Sequence, residues 1–138
     1  MAIKRTLFIS LLLMMFSISK AQRILDYKVK NNLNVKERTM MLDIFRAKLY
    51  EEYRQEFVFV VNHYKVGNNY AWFKGEATRK DGKSVRLHED LSCCHVEALF
   101  KKIGSKWYIV ESGAFSTDAW DVPSLQDRNP RAPSAIFY

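Results

Sequence analysis

Apolar residues recur at every fourth position in the first half of the chain. In the segment KERTMMLDIFRAKLYEEYR these positions are Met41, Phe45, Leu49 and Tyr53. Side chains at this spacing lie on one face of an α-helix, because each helical turn holds 3.6 residues. The pattern predicts an amphipathic helix over residues 36–54, roughly 28 Å long.

The residues in front of this helix are polar and show no clear period. We interpret residues 22–35 as a linker or as an edge segment of a sheet. Asn34 is followed by Glu37 three residues later, which is the spacing of a capping box, in which each side chain accepts a hydrogen bond from a free backbone N–H. We therefore expect the helix to begin just after Asn34.

Four segments after the helix have the composition of β-strands. They are rich in β-branched and aromatic residues and are separated by turn residues such as Asn68-Asn69, Asp81-Gly82 and Gly104-Ser105, which is typical of antiparallel hairpins. The segments are EFVFVVNHYKV (56–66), YAWFKGEA (70–77), CHVEALFKKI (94–103) and KWYIVESGAF (106–115).

The first of these strands is apolar on both sides at its start. Strict alternation places Phe57, Phe59 and Val61 on one face and Val58, Val60 and Tyr64 on the other. Because both sets begin with apolar residues, this pattern predicts a central strand that is covered on both faces.

One long helix followed by two hairpins predicts an α+β fold. In the simplest packing, the N-terminal helix lies across a curved antiparallel sheet of four to five strands, a cystatin-like roll, within a domain spanning residues 36–122. Residues 123–138 contain Pro130 and Pro133 and are predicted to form an irregular tail. The apolar end of the tail, residues 136–138, either docks on the domain or is disordered.

The N-terminus has the pattern of a secretory signal peptide. Lys4 and Arg5 precede a 12-residue apolar run, Leu7–Ile18, and Ala21 provides a small residue before a cut in front of Gln22. A run of this length is shorter than the roughly 20 residues that a membrane-spanning helix needs. We therefore expect residues 1–21 to be removed, leaving an exported protein in the periplasm or outside the cell, without a stable membrane anchor. The alternative is that the segment remains as an uncleaved anchor.

The net charge changes once this leader is set aside. The chain has 22 basic and 15 acidic residues, a formal charge of +7. Lys4, Arg5 and Lys20 belong to the leader, so 19 basic residues face 15 acidic ones in the mature chain. A charge of about +4 is too mild to indicate a nucleic-acid partner, and none is predicted.

The segment LHEDLSCCHVE, residues 87–97, contains two histidines, three carboxylates and both cysteines of the chain. Adjacent Cys93 and Cys94 lack the spacing of two to four residues that is usual in zinc sites, so we predict no metal site. The alternatives for the cysteines are a strained disulfide between neighbours, an intermolecular bridge, or one buried thiol beside one exposed thiol, which we favour. The segment is then a loop that enters the third strand, with His88, Glu89 and Asp90 exposed.

Candidate catalytic residues are few. Glu111 follows an apolar stretch of the last strand, and burial there would raise its pKa; with His63 or Asp118 it would act as a general acid or base. The structural alternative is that Glu111 pairs with a basic residue such as Arg46 of the helix. The chain contains none of the local sequence motifs of serine hydrolases, zinc proteases, phosphate-binding loops or EF-hands.

Aromatic residues supply the candidates for ligand contact, namely Trp72, Trp120 and Tyr64. Asp43, Arg46 and Trp107 are assigned structural roles.

Five segments contain short motifs that can be compared with known families: MLDIFRAKL, EFVFVVNHYKV, YAWFKGEA, ALFKKIGSKWYIVE and STDAW. The positions that carry the motifs are Leu42, Asp43, Arg46, Phe57, Val60, Ala71, Trp72, Trp107, Val110, Glu111, Asp118 and Trp120. Over about residues 41–120 the chain resembles an uncharacterised family of small secreted bacterial proteins of the Bacteroidetes type, although the late motif Trp-Tyr-Ile-Val-Glu departs slightly from the family spacing. The resemblance implies export but no activity and no catalytic residue. The order of elements is also similar to the cystatin-like and nuclear-transport-factor-like superfold, although the cystatin inhibitor loop Gln-x-Val-x-Gly is absent.

The function expected from the sequence is that of an exported binding or interaction module without a cofactor. Its partner would be a small ligand, an envelope component or another protein. The alternative is a small α+β-cone enzyme, a lyase, isomerase or hydrolase that uses Glu111 with His63 or Asp118.

Overall fold

One long helix, α1, spans Val35–Tyr53 and confirms the predicted helix to within one residue at each end. The computed structural model describes residues 23–118 and 120–138, and the predicted signal peptide, residues 1–21, lies outside them. The fully buried side chains of α1 are Met41, Leu42, Phe45 and Leu49. The period of the apolar residues therefore identified both the helix and its inner face.

The start of α1 differs from the predicted capping box. Asn34 is the N-cap residue, but its side chain makes no capping hydrogen bond. Its Oδ1 accepts a hydrogen bond from the N–H of Asn31 at 2.9 Å, and the Glu37 carboxylate binds the Lys102 ammonium at 2.6 Å. The capping box is wrong because both side chains have nonlocal or loop partners that the spacing alone does not reveal.

An open antiparallel sheet of five strands lies against α1. Its strands are β1 Leu25–Asp26, β2 Phe57–Gly67, β3 Tyr70–Arg79, β4 His95–Ile103 and β5 Lys106–Ala114, arranged in chain order. Asn68 and Asn69 join β2 to β3 with φ angles of 47° and 62°, the backbone that a tight hairpin turn requires. The predicted α+β class and antiparallel sheet are confirmed.

A β-bulge in β2 changes which way its later side chains point. The register shifts between Val61 and His63, and one extra residue reverses the alternation beyond it. Tyr64 is therefore buried on the α1 side, in the same cluster as Phe57. The prediction that Tyr64 faces the opposite side is wrong, because strict alternation does not account for the bulge.

The first half of β2 is not covered on both faces. Val58 and Val60 are 42% and 54% exposed, whereas the other face of the strand packs against α1. The prediction of a central, doubly covered strand is wrong here, since an apolar run fits a half-covered strand equally well and the C-terminal segment covers another part of the sheet.

The core between α1 and the sheet is built from aromatic rings. The Phe45 ring centroid lies 5.4 Å from that of Phe59, 6.1 Å from that of Phe73 and 6.5 Å from that of Phe100. The pairs with Phe73 and Phe100 are edge-to-face, and such contacts stabilise the packing beyond simple burial. This face of the sheet is therefore solid around Phe45.

The C-terminal segment covers part of the other face. It forms a second helix, α2, at Val122–Arg128 and a 3₁₀ turn at Ser134–Ile136, within the segment that the sequence predicts to be irregular. Its apolar side chains complete a second buried cluster: Tyr70, Trp72, Leu99, Leu125, Ala132, Ile136 and Phe137. The sheet is thus packed on both faces at the end where β2 turns into β3.

The cysteine-containing segment forms a loop that leads into β4. The loop exposes His88, Glu89 and Asp90, as predicted from the sequence. Cys93 is exposed and Cys94 is half-buried, so the buried thiol of the favoured alternative is not found. Among the described residues, no helix combines the length and apolar character needed to cross a membrane.

Candidate functional site

Glu111 lies on β5, opposite Leu99 of β4, on the face that carries the C-terminal segment. Both of its carboxylate oxygens accept hydrogen bonds from the end of α2. Arg128 Nη2 lies 2.7 Å from Oε1, and Asn129 Nδ2 lies 3.0 Å from Oε2. The carboxylate therefore joins α2 to the sheet.

The pKa of Glu111 shifts in the direction opposite to that expected for a buried general acid. The hydrogen bond from Arg128 is the main factor that lowers the pKa of Glu111, and the bond from Asn129 adds to it. The predicted raised pKa is wrong because the chain supplies a cation to this carboxylate. The predicted partner is also wrong, since Arg46 pairs with Asp43 at 2.7 Å and stacks over the Phe59 ring.

His63 is also held by the C-terminal segment. Its Nε2 lies 2.6 Å from the carbonyl oxygen of Ile136, and the neutral ring donates to that oxygen if the proton is on Nε2. Burial is the main cause that lowers the pKa of His63; the bond to Ile136 opposes it, and Lys65 and Lys74 lower it further. The imidazole therefore fastens the 3₁₀ turn to β2.

The three residues predicted to act together in catalysis are separate. His63 is on β2 and Glu111 on β5, three strands away, which corresponds to roughly 14 Å at the usual strand spacing. Asp118 is exposed beyond β5, where its backbone N–H donates to Ser116 Oγ at 3.1 Å. The geometry does not bring them to one reacting atom.

The predicted ligand-contacting aromatic residues lie in the two cores. Trp72 and Tyr64 are 0% exposed. The Trp72 ring packs between Trp120 at 5.7 Å and Phe137 at 5.4 Å. In this conformation a ligand would reach only the partly exposed Trp120. Among the residues assigned structural roles, Trp107 is 4% exposed within the α1-side core.

A carboxylate that sequence analysis did not single out is buried in the sheet. Glu97 of β4 is 5% exposed; its Oε1 binds Nε2 of His95, and its Oε2 is buried with no partner in the described chain. Trp120 lies over Gly113, the residue opposite Glu97 on β5, so closely that a Cβ there would meet the indole at 2.6 Å. The burial of Glu97 therefore depends on the docked C-terminal segment, which no local sequence pattern indicates.

The His95–Glu97 pair offers one imidazole and one carboxylate. The described residues contain no group of three or more His, Cys, Asp or Glu side chains placed to hold a metal ion. Within the part of the chain that the structure describes, the pair forms a hydrogen bond along β4.

An accessible apolar feature is the outer edge of β2. Strand β1 pairs only with Lys65 and Val66, so residues 57–61 have no partner strand on this side within the described residues. Val58 and Val60 are exposed along this stretch. We call residues 57–61 the open edge.

A groove lies beside the open edge, between α1 and the start of β2. Its volume is about 280 Å³. The lining residues are Arg46, Ala47, Tyr50, Glu56, Phe57 and Lys80. An extended chain running along the open edge would pass this groove. Sequence analysis missed the site because it predicted β2 to be an internal strand.

The chain matches no protein-family model, no curated protein and no solved structure. The resemblance to small secreted bacterial proteins therefore remains a prediction.

Proposed function

We propose that the protein is a non-enzymatic interaction module that binds an extended polypeptide by strand addition at the open edge. The observation that carries this proposal is the row of five β2 residues, Phe57–Val61, that has no partner strand among the described residues. Unpaired N–H and C=O groups along a strand edge are a template for another strand.

The side chains of the open edge favour an apolar partner. The sequence FVFVV carries no charge and has high β-propensity. A free edge of this kind is a hazard for aggregation unless it is short, charged, twisted away or covered. The bulge between Val61 and His63 and the short β1 protect only the far end of β2, so a covering partner accounts for the remaining stretch.

The enzymatic alternative receives less support. Glu111, the residue on which it depends, is bound at both oxygens by Arg128 and Asn129, and His63 is bound to the Ile136 carbonyl. The aromatic core beneath α1 replaces the interior pocket that a cone-shaped enzyme uses. These contacts favour a structural role for both residues.

The proposal also includes the compartment in which the module meets its partner. The predicted signal peptide directs the module to the periplasm or to the outside of the cell, where its partner would be an envelope or secreted polypeptide. The cystatin-like roll remains the analogy for the arrangement of helix and sheet.

Site-specific photo-crosslinking tests this function. A photoreactive amino acid replaces Val60 at the open edge, or Val110 of β5, which is 39% exposed on the opposite edge strand, in cells that produce the protein. We expect polypeptide adducts at position 60 and few at position 110, with mass spectrometry locating the cross-linked residues in one extended segment. Equal labelling at both positions, or none at position 60, contradicts the proposal.

A further inference from the structure

We infer that the polypeptide at the open edge is β2 of a second copy of this chain, so that two sheets join into one continuous ten-stranded sheet. This inference rests on the proposed function, because it names the partner of the same site. An antiparallel pair of identical strands forms a two-fold symmetric interface, the commonest arrangement in homodimers.

The residues of the open edge are complementary to themselves when antiparallel. If the two-fold axis passes beside Phe59, Phe57 lies opposite Val61 of the second copy and Val58 lies opposite Val60. Every pair is apolar, and pairs of β-branched and aromatic side chains stabilise neighbouring strands. The exposed Val58 and Val60 would then cover each other across the axis.

The charges at the two ends of the open edge also match in this orientation. Glu56, just before β2, is exposed and is in no ion pair with other described residues. Lys28 follows Tyr27, whose N–H donates to Tyr64 O at 2.7 Å, and it is exposed where β1 leaves the edge. Antiparallel pairing about Phe59 brings Glu56 of each copy beside Lys28 of the other, whereas parallel pairing brings the two Glu56 side chains together.

On the helix side of the interface, Arg46 brings a charge that is already paired. Arg46 lies over the Phe59 ring, close to the proposed axis, and its guanidinium is neutralised by Asp43 of the same chain at 2.7 Å. Two paired charges facing each other across the axis avoid the cost of burying a single unpaired one. Antiparallel self-pairing therefore fits both faces of β2.

Sedimentation equilibrium of the purified protein tests this inference. We expect a reversible monomer–dimer equilibrium, weakened about tenfold by Val60→Lys, because the substitution disrupts two symmetric cross-strand pairs. Val110→Lys, the same change on the other edge strand, is the matched control and should leave the dissociation constant unchanged. Both valines are exposed, and thermal unfolding verifies that each variant folds.

A charge swap gives a second, independent measurement. Glu56→Lys and Lys28→Glu should each weaken dimerisation by about tenfold, since one reversal turns two attractions into two repulsions. The double variant should recover the dissociation constant to within about threefold.

Three results would overturn the inference: a monomer at every concentration, equal effects of Val60→Lys and Val110→Lys, or no recovery in the double variant. A monomeric protein that still cross-links another polypeptide at position 60 overturns self-pairing alone and leaves the interaction module in place. Absence of both dimer and adduct overturns the proposed function as well.

Discussion

The carboxylate of Glu111 binds the guanidinium of Arg128, 17 residues further along the chain, with 2.7 Å between Oε1 and Nη2. This contact joins the last strand of the sheet to the end of α2. It changes the role of Glu111 from a candidate catalytic group to an anchor for the C-terminal segment. Asn129, whose Nδ2 also donates to the Leu125 carbonyl at 2.9 Å, extends the anchor into α2.

Replacing Glu111 tests the anchor. We expect Glu111→Gln to lower the free energy of unfolding by about 1 kcal/mol, because the neutral amide keeps only part of the bonding to Arg128 and Asn129. Urea denaturation near neutral pH measures this change. Glu89→Gln, which neutralises an exposed loop carboxylate, is the control and should have almost no effect. Equal stabilities of the Glu111→Gln variant and the wild-type protein would show that the ion pair is dispensable.

The contribution of Glu111 should disappear in acid. Its pKa in the folded protein lies below the ordinary value of 4.5, chiefly because Arg128 binds the ionised form. A group with a lowered folded pKa stabilises the protein fully above its unfolded pKa, and this stabilisation is lost as the pH falls through the folded pKa. The stability difference between wild type and Glu111→Gln should therefore be constant from about pH 7 to about pH 5.5 and shrink below about pH 4.5. A difference that grows towards low pH would contradict this assignment.

The elements that sequence analysis predicted correctly are those with a strong local period. The spacing of Met41, Phe45 and Leu49 identified α1 and its buried face, since tertiary packing requires a continuous apolar stripe on a helix. In β4, the alternating residues Val96 and Ala98 share the α1 side, where both are 0% exposed.

The features that sequence analysis missed depend on nonlocal contacts. No local pattern shows that Arg128 returns to Glu111, or that a bulge before His63 turns Tyr64 towards α1. The burial of Glu97 likewise requires a C-terminal segment whose docking only the folded chain reveals. Local periods therefore predicted the scaffold, and long-range contacts determined the site.

The last two residues provide a matched test of how the C-terminal segment docks. Phe137 is 5% exposed and packs against Trp72, whereas Tyr138 is 69% exposed. We expect Phe137→Ala to lower the free energy of unfolding by about 3 kcal/mol, at the low end for a buried aromatic residue because it lies near the chain end. Tyr138→Ala should have little effect.

Limited trypsin digestion reports the same docking locally. Cleavage after the exposed Arg131 should accelerate in the Phe137→Ala variant, because the released segment adopts the extended form that a protease binds. If the rate of cleavage is the same in Phe137→Ala, Tyr138→Ala and the wild type, Phe137 does not hold the segment in place.

Two adjacent methionines test the packing of α1. Met41 is 0% exposed and Met40 is 37% exposed. Met41→Ala leaves a cavity in the core and should cost about 2–5 kcal/mol, whereas Met40→Ala should change stability by about 0.5 kcal/mol or less. Thermal or urea unfolding of both variants measures the contrast. Similar losses would mean that α1 does not present the Met41 face to the sheet.

Substituting Glu97 tests whether its buried carboxylate stabilises the folded protein. It is buried with His95 as the partner of one oxygen, and its other oxygen has no partner within the described chain. Replacing a poorly satisfied buried charge by an apolar side chain of similar size is often neutral or stabilising. We therefore expect Glu97→Met to unfold at the same or a higher urea concentration than the wild type.

The companion variant His95→Ala should behave in the opposite way. It removes the partner of Oε1 and leaves a buried acceptor unsatisfied, which should cost about 1–3 kcal/mol. In the double variant, Glu97→Met should remove that cost, because no carboxylate is left to satisfy. If Glu97→Met alone is as destabilising as His95→Ala, the second oxygen also makes a stabilising contact.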